Sequence, residues 1–317
     1  MSRGRFAGFV AAAALVAVAA PGCGLGPGES SEGEARLTVT RDYGAERLLE
    51  ATVSDPSASE TVIRVLDREA EITTRYGGGF VQSIDGVEGD FSDGRSLDWF
   101  FFVNGIESSR GSAEVPVRAG DRVWWDYRDW TDALRTPAVV GSWPEPFAQA
   151  SAGTERLPVR IECHAPAAAC HTAAERLSDE GVDASVERAP ASGAEAAPPA
   201  LRLLVGPWRV LRSDPLAAQL DLGPQGSGVF ARFERRGAAY ELVALDERAE
   251  EVDAFGAGAG LVAGLRRGER PPGWVVTGTD AAGVDRAVGL LDADDLEDRY
   301  AVLAAEEGDL ALPAPVP

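Results

Sequence analysis

Two neighbouring segments rich in aromatic residues constrain the fold of this chain more than any other feature. They occupy residues 99–103 and 122–128. Both are short and consist largely of aromatic and β-branched residues, which is typical of strands. Asn104 and Gly105 follow the first segment and form the residue pair that a tight hairpin turn prefers. The sequence therefore predicts a pair of strands at the aromatic centre of the chain.

The alternation of side chains along these strands gives the predicted sheet two aromatic faces. In the first strand, Trp99, Phe101 and Val103 lie on one face and Phe100 and Phe102 lie on the other. In the second strand, Val123, Trp125 and Tyr127 lie on the face opposite to that of Trp124. One aromatic face can form a core, but a second face needs its own cover, which is another sheet, a helix or a ligand. This surplus of aromatic surface indicates binding before it indicates catalysis.

Three motifs in and around these strands occur in a characteristic order. They read Ser-Ile-Asp-Gly at residues 83–86, Trp-x-Phe-x-Val-Asn-Gly at residues 99–105 and Gly-Asp-x-Val-x-Trp-x-Tyr at residues 120–127. Together they resemble the bacterial transcobalamin-like C-terminal domain over residues 36–130. The resemblance implies a small β-rich module, related in design to the cobalamin-capping domain of animal B12 carriers. It also implies a corrinoid, such as cobalamin, as the first ligand to consider.

A corrinoid site needs an apolar platform and a polar edge, because a corrin is a flat, mostly apolar ring bordered by amides. The candidate platform consists of Trp99, Phe101, Trp124, Trp125 and Tyr127. The turn at Asn104 would supply the polar edge. The alternative is that the platform residues are core, which strand alternation predicts for about half of them.

The N-terminal sequence predicts an export signal followed by a site of lipid attachment. Residues 1–22 combine two arginines, an apolar stretch and a small-residue exit, and Cys23 follows directly. Acylation of Cys23 would place the protein outside the cytoplasm, attached to the membrane; simple secretion is the alternative. Residues 23–35 are rich in Gly, Ser and Glu and predict a flexible tether.

The charge of the chain narrows its range of partners. The formal net charge is −21 at pH 7, which argues against a nucleic-acid partner and against close electrostatic contact with anionic lipid. The hydrophobic content of 45% is sufficient for ordinary cores and excludes wholesale disorder. We therefore expect a small-molecule ligand and a membrane anchor, and the transcobalamin-like resemblance implies a membrane importer as partner.

The first predicted domain, residues 36–135, has an α+β pattern. One helix, capped by Ser59, is expected between strands, so the domain resembles a β-grasp with a mixed sheet and a single helix. The predicted strands cover residues 37–40, 49–53, 72–76, 80–84, 99–103 and 122–128, and the helix covers residues 60–68.

In the second predicted domain, residues 157–307, predicted strands alternate with predicted helices. This pattern indicates an α/β-type sandwich. A proline-rich linker, residues 136–156, precedes it, although Trp143 and Phe147 could dock onto a neighbour. A disordered tail is expected over residues 308–317. The strands are expected at residues 157–162, 183–188, 201–205, 228–233, 240–245 and 274–277, with helices at 172–178, 215–220 and, capped by Asp280, up to about residue 291.

Cys163 and Cys170 form the one constellation of chemical interest in the second domain. Each is followed directly by a histidine, His164 and His171. Outside the cytoplasm, a close pair of cysteines is most simply a disulfide. A zinc or copper site and a thiol-redox site are the alternatives, although the Cys-x-x-Cys motif is missing.

The sequence contains none of three common enzyme motifs, namely Gly-x-Ser-x-Gly, His-Glu-x-x-His and the P-loop. We therefore expect a non-enzymatic ligand-binding protein without a resident metal or cofactor, cobalamin being considered only as a bound ligand. A protein-interaction or cell-envelope scaffold is the alternative function. An extracytoplasmic thiol-redox protein is a second and weaker alternative function.

Overall fold

The computed structural model describes residues 30–76, 79–149, 156–188 and 198–316, together with Met1. These residues form a mixed α and β protein, as predicted. The predicted export signal and Cys23 lie outside the described residues. Among the described residues, no helix is long and apolar enough to cross a membrane.

The first part of the chain forms the strands and the helix that its sequence predicts, and it adds two short strands. The predicted cap is wrong, because Thr61 and not Ser59 occupies the N-cap of the helix, without a side-chain hydrogen bond. Asn104 and Gly105 both have positive φ angles, 54° and 72°, as a tight hairpin turn requires. The elements are β1 (Glu34–Arg41), β2 (Glu46–Ser54), α1 (Val62–Glu69), β3 (Ile72–Arg75), β4 (Phe80–Ile84), β5 (Val87–Glu88), β6 (Leu97–Val103), β7 (Ile106–Glu107) and β8 (Arg122–Asp129).

The main sheet of this part has five strands in the order β2-β1-β8-β6-β7. β1 and β8 run parallel at its centre, and the other neighbours are antiparallel. β3, β4 and β5 form a separate small sheet. Apolar residues of α1 and of this small sheet pack on one face of the main sheet, so this face is an ordinary core.

The second part of the chain begins with the predicted β-α-β unit and contains more strands than predicted. Asp280 caps α5 as expected, because its side chain accepts a hydrogen bond from the Gly283 N–H. The elements are β9 (Val159–Cys163), α2 (Ala167–Asp179), β10 (Ala184–Arg188), β11 (Leu201–Pro207), α3 (Trp208–Leu211), a 3-10 helix (Ala217–Leu222), α4 (Gly223–Ser227), β12 (Ala231–Arg236), β13 (Ala239–Leu245), β14 (Glu251–Phe255), β15 (Gly260–Leu265), β16 (Gly273–Gly278), α5 (Ala281–Gly289), α6 (Ala293–Leu296), β17 (Ala301–Ala305) and β18 (Gly308–Leu312).

A seven-stranded sheet in the order β10-β9-β11-β16-β15-β17-β18 is the centre of the second part. Helices α2 and α5 pack on one of its faces. The opposite face packs against the three-stranded sheet β12-β13-β14 and against aromatic residues of the first part. The two parts therefore share a hydrophobic core.

The tail from residue 308, which we predicted to be disordered, begins with a structured strand, Gly308–Leu312. β18 pairs with β17 along its whole length, and the Ala314 N–H then donates to the Leu245 carbonyl at 2.8 Å. Leu312 and Ala314 are buried. The prediction was wrong because it weighted the prolines over these apolar side chains, which find a place at the sheet edge.

Residues 136–149 of the predicted linker form a buried strap between the two parts. The Val139 N–H donates to the Gly105 carbonyl of the first part, and the Val140 N–H donates to the Tyr300 carbonyl of the second. Trp143 and Phe147 are buried against Trp274, with ring centroids 5.6 and 5.2 Å from it. The predicted docking of these two aromatic residues is therefore confirmed.

The predicted tether is shorter than its composition indicated. Ser30 forms a β-bridge with Ser57, and the Gly33 N–H donates to the Asp55 carboxylate at 2.9 Å. β1 then begins at Glu34. Residues 30–35 therefore belong to the folded body, because their backbone is tied to the loop that follows β2.

Candidate functional site

The predicted platform residues on the first face of the main sheet lie in a core. Trp99 and Trp125 are 5% and 2% exposed, and they face Tyr127 and Phe101 across the strand pair at 5.2 and 4.8 Å between ring centroids. The Trp99 indole N–H donates to the Val87 carbonyl at 2.8 Å. Phe101 and Tyr127 are half-buried beside the same core. The small sheet thus closes this face.

The second face of the main sheet is covered by the second part of the chain. Trp124 and Phe102 are buried, and both pack edge-on against Tyr300, at centroid distances of 5.4 and 5.6 Å. Tyr43 joins them, 5.1 Å from both Tyr300 and Phe230. The sequence predicts another sheet, a helix or a ligand as the cover of this face, and the structure covers it with side chains from the second part of the chain.

Asn104 has a structural role at the turn. Its side-chain amide donates to the Asp121 carboxylate at 2.8 Å, and its side-chain oxygen accepts from the Arg122 N–H at 2.9 Å. Both Asn104 and Asp121 are buried. The six residues predicted to bind a ligand are therefore divided between two covered faces and a turn, and they do not form one open surface.

A buried carboxylate, Asp126, joins the two parts on the second face. It accepts hydrogen bonds from the Thr40 hydroxyl at 2.5 Å, from the Tyr300 hydroxyl at 2.8 Å and from the backbone N–H groups of Tyr43 and Gly44 at 3.1 Å each. Burial raises the pKa of Asp126 to about 6, although these four donors favour the charged form. No local sequence pattern indicates this network, because Tyr300 lies 174 residues away from Asp126.

A buried arginine, Arg128, lies on the same face. Its guanidinium group is 3.9 Å from the centroid of the Phe100 ring and donates to the Ala133 carbonyl at 2.7 Å. The nearest carboxylate oxygen, from Glu107, is 3.6 Å away. Glu107 in turn accepts from the Thr136 N–H at 2.6 Å. The second face therefore buries charges of both signs at the domain contact.

A cleft of about 530 Å³ opens at the edge of this contact. The turn between β1 and β2, the segment after β13, the segment before β17 and the end of the chain all contribute to its wall. Its lining residues are Asp42, Tyr43, Gly44, Ala45, Asp246, Glu247, Glu297, Asp298, Arg299, Ala311, Leu312, Pro313, Ala314, Pro315 and Val316. Apolar side chains and carboxylates both line the cleft.

Arginines outside the cleft hold several of these carboxylates in place. Arg47 contacts Glu297 at 2.9 Å and Asp298 at 2.5 Å, and Arg95 contacts Glu247 at 2.9 Å. Burial raises the pKa of both Asp298 and Glu247. None of the residues described as lining the cleft is Ser, Thr, Cys, His or Lys.

The predicted disulfide is present in the structure. Cys163 at the end of β9 and Cys170 in the first turn of α2 are bonded, with their Cα atoms 5.9 Å apart. In the described part of the chain, no group of three or more His, Cys, Asp or Glu residues could hold a metal ion. Burial lowers the pKa of His164. The thiol-redox alternative stays a prediction.

A comparison with family models finds a match in the first part of the chain. A family model described as "Domain of unknown function (DUF4430)" matches residues 59–129, from the loop before α1 to the end of β8. A search of curated proteins gives no match. Among solved structures, the chain is similar to one from Ruminococcus gnavus described as that of a "putative metal binding protein". The two are 18% identical, the match covers 31% of this chain and 98% of that one, and the TM-score is 0.25.

Proposed function

We propose that this chain is an extracytoplasmic, lipid-anchored protein without enzymatic activity, and that it binds a small molecule in the cleft between its two domains. The observation that carries the proposal is the cleft itself. It measures about 530 Å³, and both domains contribute to its wall. Small-molecule sites in proteins have volumes of about 300–1,000 Å³ and occur preferentially at domain junctions.

The composition of the cleft supports a ligand with an apolar body. Leu312, Pro313 and Ala314 form a continuous apolar wall, which is the usual lining of a small-molecule site. Five carboxylates stand around the cleft against one arginine, Arg299. This surplus of negative charge disfavours an anionic ligand. A neutral or cationic ligand with polar edge groups therefore fits best.

A corrinoid is the first ligand that we propose to test. The transcobalamin-like motifs suggest it, and the β2-β1-β8-β6-β7 sheet with α1 on one face supports a β-grasp-like first domain. The cleft is smaller than a whole corrinoid, so the ring would enter by one edge and present its amides to the carboxylates. Cobalamin carries a phosphodiester and cobinamide does not, so cobinamide should bind more tightly. Transfer to a membrane importer would follow capture.

The test is a calorimetric titration of the purified chain with cobinamide and with cobalamin. Ala45 is exposed and lines the cleft, so Ala45→Trp should obstruct the cleft and weaken binding at least tenfold. Ala58 is an equally exposed alanine in the loop after β2, and Ala58→Trp is the matched control. If neither corrinoid binds at micromolar concentration, corrinoid capture is excluded. If binding occurs but Ala45→Trp leaves it unchanged, the ligand site lies outside the cleft.

Exposed aromatic residues favour a second candidate function, that of a protein-interaction scaffold. Tyr76 is 88% exposed and packs edge-on against Phe80, and Phe91 is exposed beside Trp130. Both pairs belong to the first domain. Paired exposed aromatic residues are typical anchors of protein interfaces. A scaffold would lose its partner in a Tyr76→Ala, Phe91→Ala double variant and keep it in Ala45→Trp, whereas a small-molecule carrier would show the opposite pattern.

A further inference from the structure

The start of the folded body lies at one end of the first domain. Ser30 bridges Ser57, and the Ser31 N–H donates to the Pro56 carbonyl at 3.0 Å. The Ser31 hydroxyl accepts from the Ala119 N–H at 3.0 Å, which ties the same segment to the loop before β8. The chain therefore enters the domain between the loop after β2 and the loop before β8.

The chain available between the proposed lipid anchor and this end is short. Cys23 and Ser30 are separated by seven residue steps. A fully extended chain spans at most about 3.6 Å per residue, so Ser30 lies within about 25 Å of the acylated residue. The Ser30 end of the domain is therefore held near the bilayer surface whenever the anchor is inserted.

The cleft lies at the opposite end of the same strand. β1 runs from Glu34 to Arg41 and leads directly into the turn at residues 42–45, which lines the cleft. A strand rises about 3.3 Å per residue, so the two ends of β1 are about 25 Å apart. β1 also lies between β2 and β8 in the main sheet, so it is a rigid connection.

We infer that the protein stands on the membrane with its Ser30 end toward the bilayer and its inter-domain cleft pointing away from it. The inference rests on the lipid anchor of the proposed function, and it adds the direction in which the cleft faces relative to the bilayer. The cleft would open toward the medium that supplies the ligand. A partner that removes the ligand would have to approach the cleft from the side of the protein remote from the bilayer. Otherwise it would have to tilt the folded part of the protein on the short segment between Cys23 and Ser30.

Energy transfer from dye-labelled protein to the membrane tests this orientation. The full-length lipidated chain is placed in phosphatidylcholine–phosphatidylglycerol vesicles that contain a headgroup-labelled acceptor lipid. A single donor dye is attached to Ala58→Cys, near the Ser30 end, or to Ala45→Cys, at the cleft; both alanines are exposed. Because Cys163 and Cys170 are bonded to each other and Cys23 would be acylated, the added thiol takes the label.

We expect transfer from position 58 to exceed transfer from position 45 by about twofold or more, given a height difference of about 25 Å. Equal or reversed efficiencies would overturn the orientation. Cys23→Ser should abolish transfer from both positions. If the unmodified chain fails to associate with vesicles, both the anchor and the orientation are wrong. If transfer follows the expected pattern while no corrinoid binds, the orientation stands and only the ligand assignment fails.

Discussion

The two faces of the main sheet of the first domain are equally buried and differently built. The face under α1 carries Trp99 and Trp125 among aliphatic residues of the same domain. The face under the second domain carries Trp124 as well, but it also buries Asp126 and Arg128. Apolar packing has little directional preference, whereas a hydrogen-bonded buried carboxylate favours one arrangement of its donors. We infer that the first face supplies folding energy and that the second fixes how the two domains meet.

The largest expected effect comes from the first face. Trp125→Ala removes a fully enclosed indole, and large-to-small changes of this kind cost about 3–5 kcal/mol of the free energy of unfolding. Urea denaturation followed by circular dichroism measures this loss. Phe91→Ala, at an exposed aromatic residue, is the matched control and should cost less than about 0.5 kcal/mol. Similar costs for the two variants would contradict the core role of Trp125.

A pH titration of stability should distinguish the charged second face from the apolar first one. Burial raises the pKa of Asp126 to about 6 and that of Glu145 in the strap to about 7. Since both values exceed those of the unfolded chain, the stability that these groups contribute is full below pH 4 and is lost as the pH rises through 6 and 7. Between pH 5 and pH 8 we expect a loss of roughly 3 kcal/mol in the free energy of unfolding.

The check is urea denaturation at a series of pH values. Asp126→Asn should flatten the part of the pH dependence centred near pH 6, whereas Trp125→Ala should shift the whole curve without changing its slope. Stability that rises from pH 5 to pH 8 would show that these carboxyls are not held in the way that the structure describes.

The smallest expected effect isolates the contact between the domains. Tyr300→Phe keeps the ring against Trp124 and Phe102 but removes the hydrogen bond to Asp126. A hydrogen bond to a charged group contributes about 1.5–3 kcal/mol. A double-mutant cycle of Tyr300→Phe with Asp126→Asn, measured by urea denaturation, gives the coupling between the two residues. Coupling near zero would mean that this bond does not form in solution.

Local sequence patterns predicted much of the first domain and little of the site. Strands β6 and β8 and the Asn104-Gly105 turn between β6 and β7 were predictable, because alternation and positive φ are local properties. The N-cap at Asp280 was predictable for the same reason. The cover of Trp124 was not predictable, because Tyr300 belongs to the second part of the chain and is far from Trp124 in the sequence. The cleft combines segments from both ends of the chain, and none of these segments carries a motif of its own.

Residue-resolved hydroxyl-radical footprinting of the full chain tests most directly whether the second face is covered by the other domain. Trp124 and Trp125 are adjacent in sequence and point to opposite faces, and each is 2% exposed. We predict that both resist modification while the exposed Tyr76 is modified strongly, and that Tyr300→Ala increases the modification of Trp124 alone. Modification of Trp124 in the unaltered chain at a rate close to that of Tyr76 would show that this aromatic face is open, as a ligand platform would require.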